Sequence, residues 1–201
     1  MYFFGDTYFP HPTVKNVFQI LFSIVLITEF AILFFTVWNN RKTSGKKTVK
    51  DRGSMLFMMA GYWVAIFLNP ICIHRFPLVL SLNLFWLGAV FVLLGVSVRV
   101  YSVWTLKKFF TLNVQVGSQQ EIIKRGPYKR IRHPAYTGSI LTLIGVALSF
   151  RSPLGMIATA IIVAAIYGYR IKIEEKVLAE NFGEAYKGYE RDTWRLVPYI
   201  W

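Results

Sequence analysis

Residues 136–169 read YTGSILTLIGVALSF, then RSP, then LGMIATAIIVAAIYGY. Two apolar runs, Tyr136 to Phe150 and Leu154 to Tyr169, flank Arg151, Ser152 and Pro153. The three central residues predict a tight turn, and the runs predict the arms of a helical hairpin. A helix satisfies its own backbone polar groups, which lipid demands. Each arm falls short of the ~20 residues that cross a hydrocarbon core, so the hairpin is expected to span only marginally.

Three further apolar segments lie upstream: Val17 to Trp38, interrupted by Glu29; Met55 to Ile73, with Pro70 near its end; and Val79 to Trp104, with Arg99 near its end. Each has the length of a span. Hydrophobic residues make up 55% of the chain and charged residues 16%. Soluble domains carry about 25% charged residues, and so small a globule has no room to bury every apolar block. The expected fold is therefore all-α and polytopic, with about five transmembrane helices. Residues 1–104 read as a three-helix membrane region and 105–201 as a second unit. The aromatic start, with Pro10 and Pro12, lacks the basic opening and short core of a cleaved signal.

The net charge is +13, and its distribution matters more than its size. Residues 41–52 (RKTSGKKTVKDR) hold six basic residues and one acidic. Residues 105–134 hold Lys107, Lys108, Lys124, Arg125, Lys129, Arg130 and Arg132 against Glu121. Basic residues between apolar blocks favour membrane loops over a nucleic-acid surface. With five spans, both loops and the C-terminal tail fall on one side. The positive-inside bias makes that side cytoplasmic and puts the N-terminus outside. Arg99 lies near that boundary and is expected to snorkel towards water. Glu29, nearer mid-span, reads either as a cavity-lining carboxylate or as an internally satisfied one.

From Arg170 onward, six basic and six acidic residues interleave with Ile173, Val177, Leu178, Phe182, Tyr186 and Tyr189. That pattern predicts an amphipathic helix continuing the fifth span into the cytoplasm. Such a helix lies on the membrane surface or covers loop 105–134. Cys72 is the only cysteine, which excludes an intramolecular disulfide. There is no GxG, no HExxH and no paired-cysteine motif, so neither a Rossmann-type site nor a metal centre is expected.

Two motifs concentrate the chemistry. The first is GPYKRIRHPAYTG, Gly126 to Gly138. A residue before proline avoids the α region, and proline suits the first position of a helix. His133 is thus expected to cap the fourth helix, whose N-terminus attracts anions. Tyr128 and Tyr136 would supply ring faces and hydroxyls. Residue types alone also allow a basic loop with an interfacial proline cap. The second motif is RIKIEE, Arg170 to Glu175, followed by FGEAYKGY, Phe182 to Tyr189. Arg170 and Glu174 share a helix face at i, i+4, as a surface ion pair or as part of a site. Glu175 points elsewhere and reads as solvated.

In this order and separation, the motifs resemble the isoprenylcysteine carboxyl methyltransferase family, and more broadly the phospholipid methyltransferase-like membrane enzymes. The resemblance runs from about Leu106 to Pro198; the earlier spans match only as apolar segments. It implies an S-adenosylmethionine pocket facing the cytoplasm. It points to Tyr128, His133, Pro134, Tyr136, Gly138 and Glu175 as cofactor-binding residues, and to Arg170 and Glu174 as catalytic. Thr111 to Val116 (TLNVQV) would wall the pocket. The acceptor would be a lipophilic or lipidated molecule, such as a prenylated-cysteine carboxylate, met within membrane lipid; no nucleic-acid partner is expected. A phospholipid amine methyltransferase shares the motifs. An NADPH-dependent sterol reductase, with a similar RHPxY stretch, and a non-enzymatic membrane protein are the other readings.

Overall fold

The computed structural model describes residue 4 and residues 8–42, 48–49, 53–110, 115–116 and 121–200. Six α-helices appear among them: α1 (Pro12–Lys42), α2 (Ser54–Arg75), α3 (Asn83–Leu106), α4 (Pro134–Phe150), α5 (Pro153–Phe182) and α6 (Glu184–Asp192). Four of these, α1, α2, α3 and α5, are long and apolar enough to cross a membrane, and α4 is a shorter apolar helix of 17 residues. At 1.5 Å per residue α4 is about 25 Å long, short of a ~30 Å hydrocarbon core. Large apolar side chains such as Ile27, Phe34, Leu56, Trp104 and Ile161 stay exposed, as expected where lipid is the solvent. The protein is a multi-pass integral membrane protein.

The hairpin turn forms for local reasons. Arg151 takes a left-handed conformation at φ 58° and ends α4. Ser152 then caps α5, its side chain accepting from the Gly155 N–H at 3.2 Å, and Pro153 fills the first helical position. The α2–α3 connection reaches the same turn, where the Leu80 N–H donates to the Arg151 carbonyl at 3.0 Å. Phe4 and Phe9 pack on Phe150 there, with ring centroids 5.3 and 5.4 Å apart.

At the opposite end, the two basic loops meet. A two-residue strand β1 (Thr48–Val49) pairs antiparallel with β2 (Gln115–Val116), Thr48 opposite Val116. The described strand residues of the two basic loops therefore share one end of the molecule with the tail, as the loops' charge predicts. Of the expected wall Thr111 to Val116, only the β2 backbone falls within the described residues; the remainder lies outside them.

Helices α3 and α4 pack nearly backbone to backbone. A Cβ on Gly95 would come within 2.5 Å of the Thr142 N, and one on Gly88 within 2.5 Å of the Gly145 carbonyl. Small residues allow such approach in lipid, where dispersion rather than the hydrophobic effect holds helices together. This contact fixes where α4 begins, and the candidate site is built around that point.

Candidate active site

Pro134 starts α4 with His133 as its N-cap residue, as predicted, although the imidazole makes no capping bond. Pro134 has no N–H, and those of Tyr136 and Thr137 return to the His133 carbonyl at 3.0 and 3.1 Å. The helix start thus offers an anion less than the sequence suggests. The His133 ring instead stacks on the Tyr136 ring, with centroids 5.5 Å apart and planes 13° from parallel.

Arg170 lies on α5 opposite this start. It is the largest fully buried side chain among the described residues, 2% exposed. Its Nε donates to the Tyr136 hydroxyl at 3.0 Å, and its Nη1 donates to the Ser54 Oγ at 2.6 Å. Tyr136 in turn donates to Glu174 Oε2 at 2.5 Å. Arg170 and Glu174 do share a helix face, as their spacing predicts, with the phenol of Tyr136 bridging them. A solvated surface pair is ruled out by the burial of Arg170.

Glu175 differs from its solvated reading. It is 8% exposed, and the Nε atoms of Arg132 and Arg195 donate to it at 3.0 and 2.9 Å. His133 Nε2 lies 3.4 Å from the same carboxylate. Arg132 Nη1 also donates to the carbonyls of Glu190, at 2.9 Å, and Thr193. The correction has a simple physical cause. The tail folds back against residues 124–137, so cations 43 and 20 residues away in sequence surround one carboxylate. The backbone seals this closure: the N–H groups of Arg132 and His133 donate to the carbonyls of Trp194 and Arg195 at 2.7 and 3.0 Å. Arg132 and Thr193 were not among the predicted site residues. The one available signal was the basic excess of the loop beside a tail that carries six carboxylates.

Tyr128 is buried in a short 3-10 turn (Gly126–Lys129), and its carbonyl accepts from the Tyr189 hydroxyl on α6 at 2.7 Å. Burial holds both phenols well above their ordinary range, so both remain protonated at neutral pH. Gly138 belongs to the helix interface: a Cβ there would lie 2.6 Å from the Arg99 N and 2.7 Å from the Gly95 carbonyl. Its structural role is close approach to α3, which accounts for glycine without invoking a cofactor.

Arg99 does not snorkel. It is 7% exposed, and its Nε and Nη2 each lie 2.7 Å from an oxygen of Glu29 on α1. Its Nη1 donates to Ser139 Oγ at 2.5 Å and to the Ala135 carbonyl at 3.4 Å, on either side of Tyr136. Both ionisable residues inside the spans are thereby satisfied by one another.

The residues fit a sulfonium cofactor bearing an amino acid and a nucleoside. Tyr186 on α6 is 1% exposed, and its hydroxyl has no hydrogen-bond partner among the described residues. Burial, and the charges of Glu175 and Glu174, keep this phenol protonated, so it is an unfilled donor beside the site. Glu174 is half-buried and supplies negative charge for an ammonium or sulfonium. No group of His, Cys, Asp and Glu suited to a metal ion occurs among the described residues.

The sequence model of the phospholipid methyltransferase family matches residues 83–185, about half the chain. A protein-S-isoprenylcysteine O-methyltransferase of Dictyostelium discoideum is 24% identical over 175 residues, covering 84% of this chain and 71% of its own. Protein-S-isoprenylcysteine O-methyltransferase A of Arabidopsis thaliana is 24% identical over 208 residues, covering 98% of each chain. Among solved structures, the eukaryotic intramembrane Ras methyltransferase ICMT superposes with a TM-score of 0.69 at 22% identity. That match covers 94% of this chain and 68% of the other, and it shows a shared fold.

Proposed function

The chain belongs to the phospholipid methyltransferase family, and from that premise we propose that it methylates a lipophilic acceptor carboxylate, such as that of a prenylated cysteine, using S-adenosylmethionine. The observation that carries this reading is the buried Ser54–Arg170–Tyr136–Glu174 chain at the end of the molecule where the basic loops and the tail converge. By charge that end is cytoplasmic, with the N-terminus outside.

Bound S-adenosylmethionine supplies a methyl group on a positively charged sulfur. Tyr128, His133, Pro134, Tyr136 and Tyr186 would hold it; Gly138 would set the position of α4, and Glu175 would act through His133 and Arg132. A carboxylate nucleophile is already ionised at neutral pH, so the protein needs no strong base. Arg170 would orient that carboxylate. Its guanidinium is anchored by Tyr136 and Ser54 before any acceptor arrives. Orientation of this kind is worth about 7–11 kcal/mol in favourable systems. Glu174 fixes the Tyr136 hydroxyl, and through it the plane of Arg170. The tail, packed against Tyr128, Arg132 and His133, would exclude water.

A phospholipid amine acceptor is the second reading, favoured by the family match itself. Glu174, half-buried and bonded to a phenol, would then accept the amine proton. One experiment separates the two. Membranes containing the protein are incubated with methyl-labelled S-adenosylmethionine, and the extracted lipids are treated with base. Release of label as methanol is expected for an ester; base-stable label would replace the carboxylate reading with the amine one. No protein-dependent label in any lipid-soluble acceptor would overturn both.

A further inference from the structure

Beyond the backbone closure over His133, residues 194–200 present an apolar face that stays open among the described residues. Trp194, Val197, Tyr199 and Ile200 are 42%, 42%, 88% and 78% exposed. The Trp194 and Tyr199 rings lie 5.6 Å apart, and the Ile200 N–H donates to the Val197 carbonyl at 3.2 Å, so a turn gathers these side chains. Leu196 between them is buried in the core. A contiguous exposed apolar cluster is uncommon on a water-facing surface and marks a contact with something apolar.

The height of the cluster along the helices identifies that contact. The Thr137 hydroxyl donates to the Leu196 carbonyl at 2.8 Å. Thr137, Leu141, Ile144 and Leu148 fall on one stripe of α4, spaced as one helix face requires. All four are half-buried, while Gly138, Thr142 and Gly145 face α3. The half-buried stripe is the part of α4 left for lipid, and Thr137 stands at its beginning, one turn after Pro134. Residues 196–200 therefore lie where the lipid-facing side of α4 leaves the hydrocarbon. Trp38, Trp104 and Tyr169 are exposed near the same ends of α1, α3 and the apolar run of α5. Trp and Tyr concentrate at membrane–water interfaces, where one end of the side chain is apolar and the other wet. Trp194 and Tyr199 continue that belt. Lys129 and Arg130 are exposed beside them, and the Trp194 N–H donates to the Arg130 carbonyl at 2.9 Å. Basic side chains in that position suit headgroup phosphates.

We propose that residues 194–200 are an interfacial anchor, whose apolar side chains enter the lipid on the basic-loop side and hold the tail closed over His133. Lipid then adds to the protein contacts that keep the site shut. The anchor goes beyond the methyl-transfer reading and needs neither cofactor nor acceptor.

The test uses the full chain at one copy per nanodisc of zwitterionic lipid, so no second protein is present to cover the face. In a Cys72→Ser background, Ile200→Cys carries the fluorophore NBD. Quenching by aqueous iodide is compared with quenching by phosphatidylcholine bearing a nitroxide near the top or near the end of its acyl chain. Lys187→Cys on α6, where the native side chain is 60% exposed, is the water reference, and Ile161→Cys on α5, 65% exposed, is the lipid reference. The label at position 200 should be shielded from iodide as at 161, and quenched most by the shallow nitroxide. Hydrogen exchange then compares the unlabelled protein with a Tyr199→Asn, Ile200→Ser double variant. Asparagine tolerates the left-handed backbone of Tyr199, at φ 66°. The N–H groups of Arg132, His133 and Trp194 close the tail over the site. Peptides carrying them should exchange about tenfold faster in the variant, as lost burial of two large side chains implies. The interior of α3 and α4 should exchange as before. Tyr199 and Ile200 are so exposed that protein contacts alone predict little change.

Iodide quenching at 200 equal to that at 187 would overturn the anchor. So would unchanged exchange in the double variant, and strongest quenching by the deep nitroxide would overturn its interfacial placement. Each readout is independent of methyl transfer, so an inactive chain that passes both keeps the anchor, and an active chain that fails either loses only the anchor.

Discussion

Replacing Tyr136 by Phe removes one oxygen and leaves the ring stacked on His133. That oxygen accepts from Arg170 at 3.0 Å and donates to Glu174 at 2.5 Å. Hydrogen bonds to charged groups contribute about 1.5–3 kcal/mol each. Two are lost, but Arg170 and Glu174 lie one helical turn apart and recover part of the loss by closing on each other. The net cost is therefore about that of one bond. At about 1.4 kcal/mol per factor of ten, turnover should fall roughly ten- to a hundredfold. Cofactor affinity should change little, because the ring face is kept. The assay is single-turnover methyl transfer in detergent micelles, with cofactor binding measured separately by calorimetry. A double variant, Tyr136→Phe with Glu174→Gln, should be no slower than the slower single one, since both break the same connection. An unchanged rate in folded Tyr136→Phe would remove the relay from the mechanism, and full additivity in the double variant would show that the two residues act separately.

Glu175→Gln should lower the melting temperature by several degrees and expose the segment after α6 to protease. It leaves Arg132, 8% exposed at the side chain, without its counter-charge, and breaking a buried pair costs about 3 kcal/mol; wild-type melting would remove the clamp. Gly138→Ala should destabilise the protein by about 1–3 kcal/mol, as overpacking does, because its Cβ would fall 2.6 Å from the Arg99 N. Denaturation in mixed micelles reads this, and a neutral result would show that α3 and α4 have slack. In a Cys72→Ser background, Lys46→Cys should resist membrane-impermeant thiol reagents in intact cells and react after permeabilisation; labelling from outside would invert the topology.

The spans were legible because each is a continuous apolar run, and their boundaries shift by only a few residues. That the two basic loops share one side was legible through charge; the pairing of β1 with β2 was not. The apolar run ends near Tyr169, and the amphipathic pattern beyond it predicts a helical continuation, which α5 supplies by running unbroken to Phe182. Arg170, Glu174 and Tyr136 came from motifs, yet their bridged order did not, because i, i+4 spacing suggests a direct contact. Glu29 and Arg99 were read separately. Their pairing spans 70 residues, and only the presence of opposite charges in two apolar spans hinted at it. Glu175 was misread because its partners reach it through tertiary folding, which helical spacing within its own segment cannot reveal.

The seal between residues 132–137 and 193–196 orders events during synthesis. Arg132 and His133 bond to Trp194 and Arg195, and the Thr137 hydroxyl donates to the Leu196 carbonyl at 2.8 Å. These partners stand 59 or more residues apart along the chain. At roughly 5–20 residues per second, a ribosome makes the first set about 3–12 seconds before the second. Helices α4 and α5 are synthesised within that interval, while His133 still lacks the segment that closes over it. A chain halted before residue 193 would carry all five apolar helices without the backbone closure over His133.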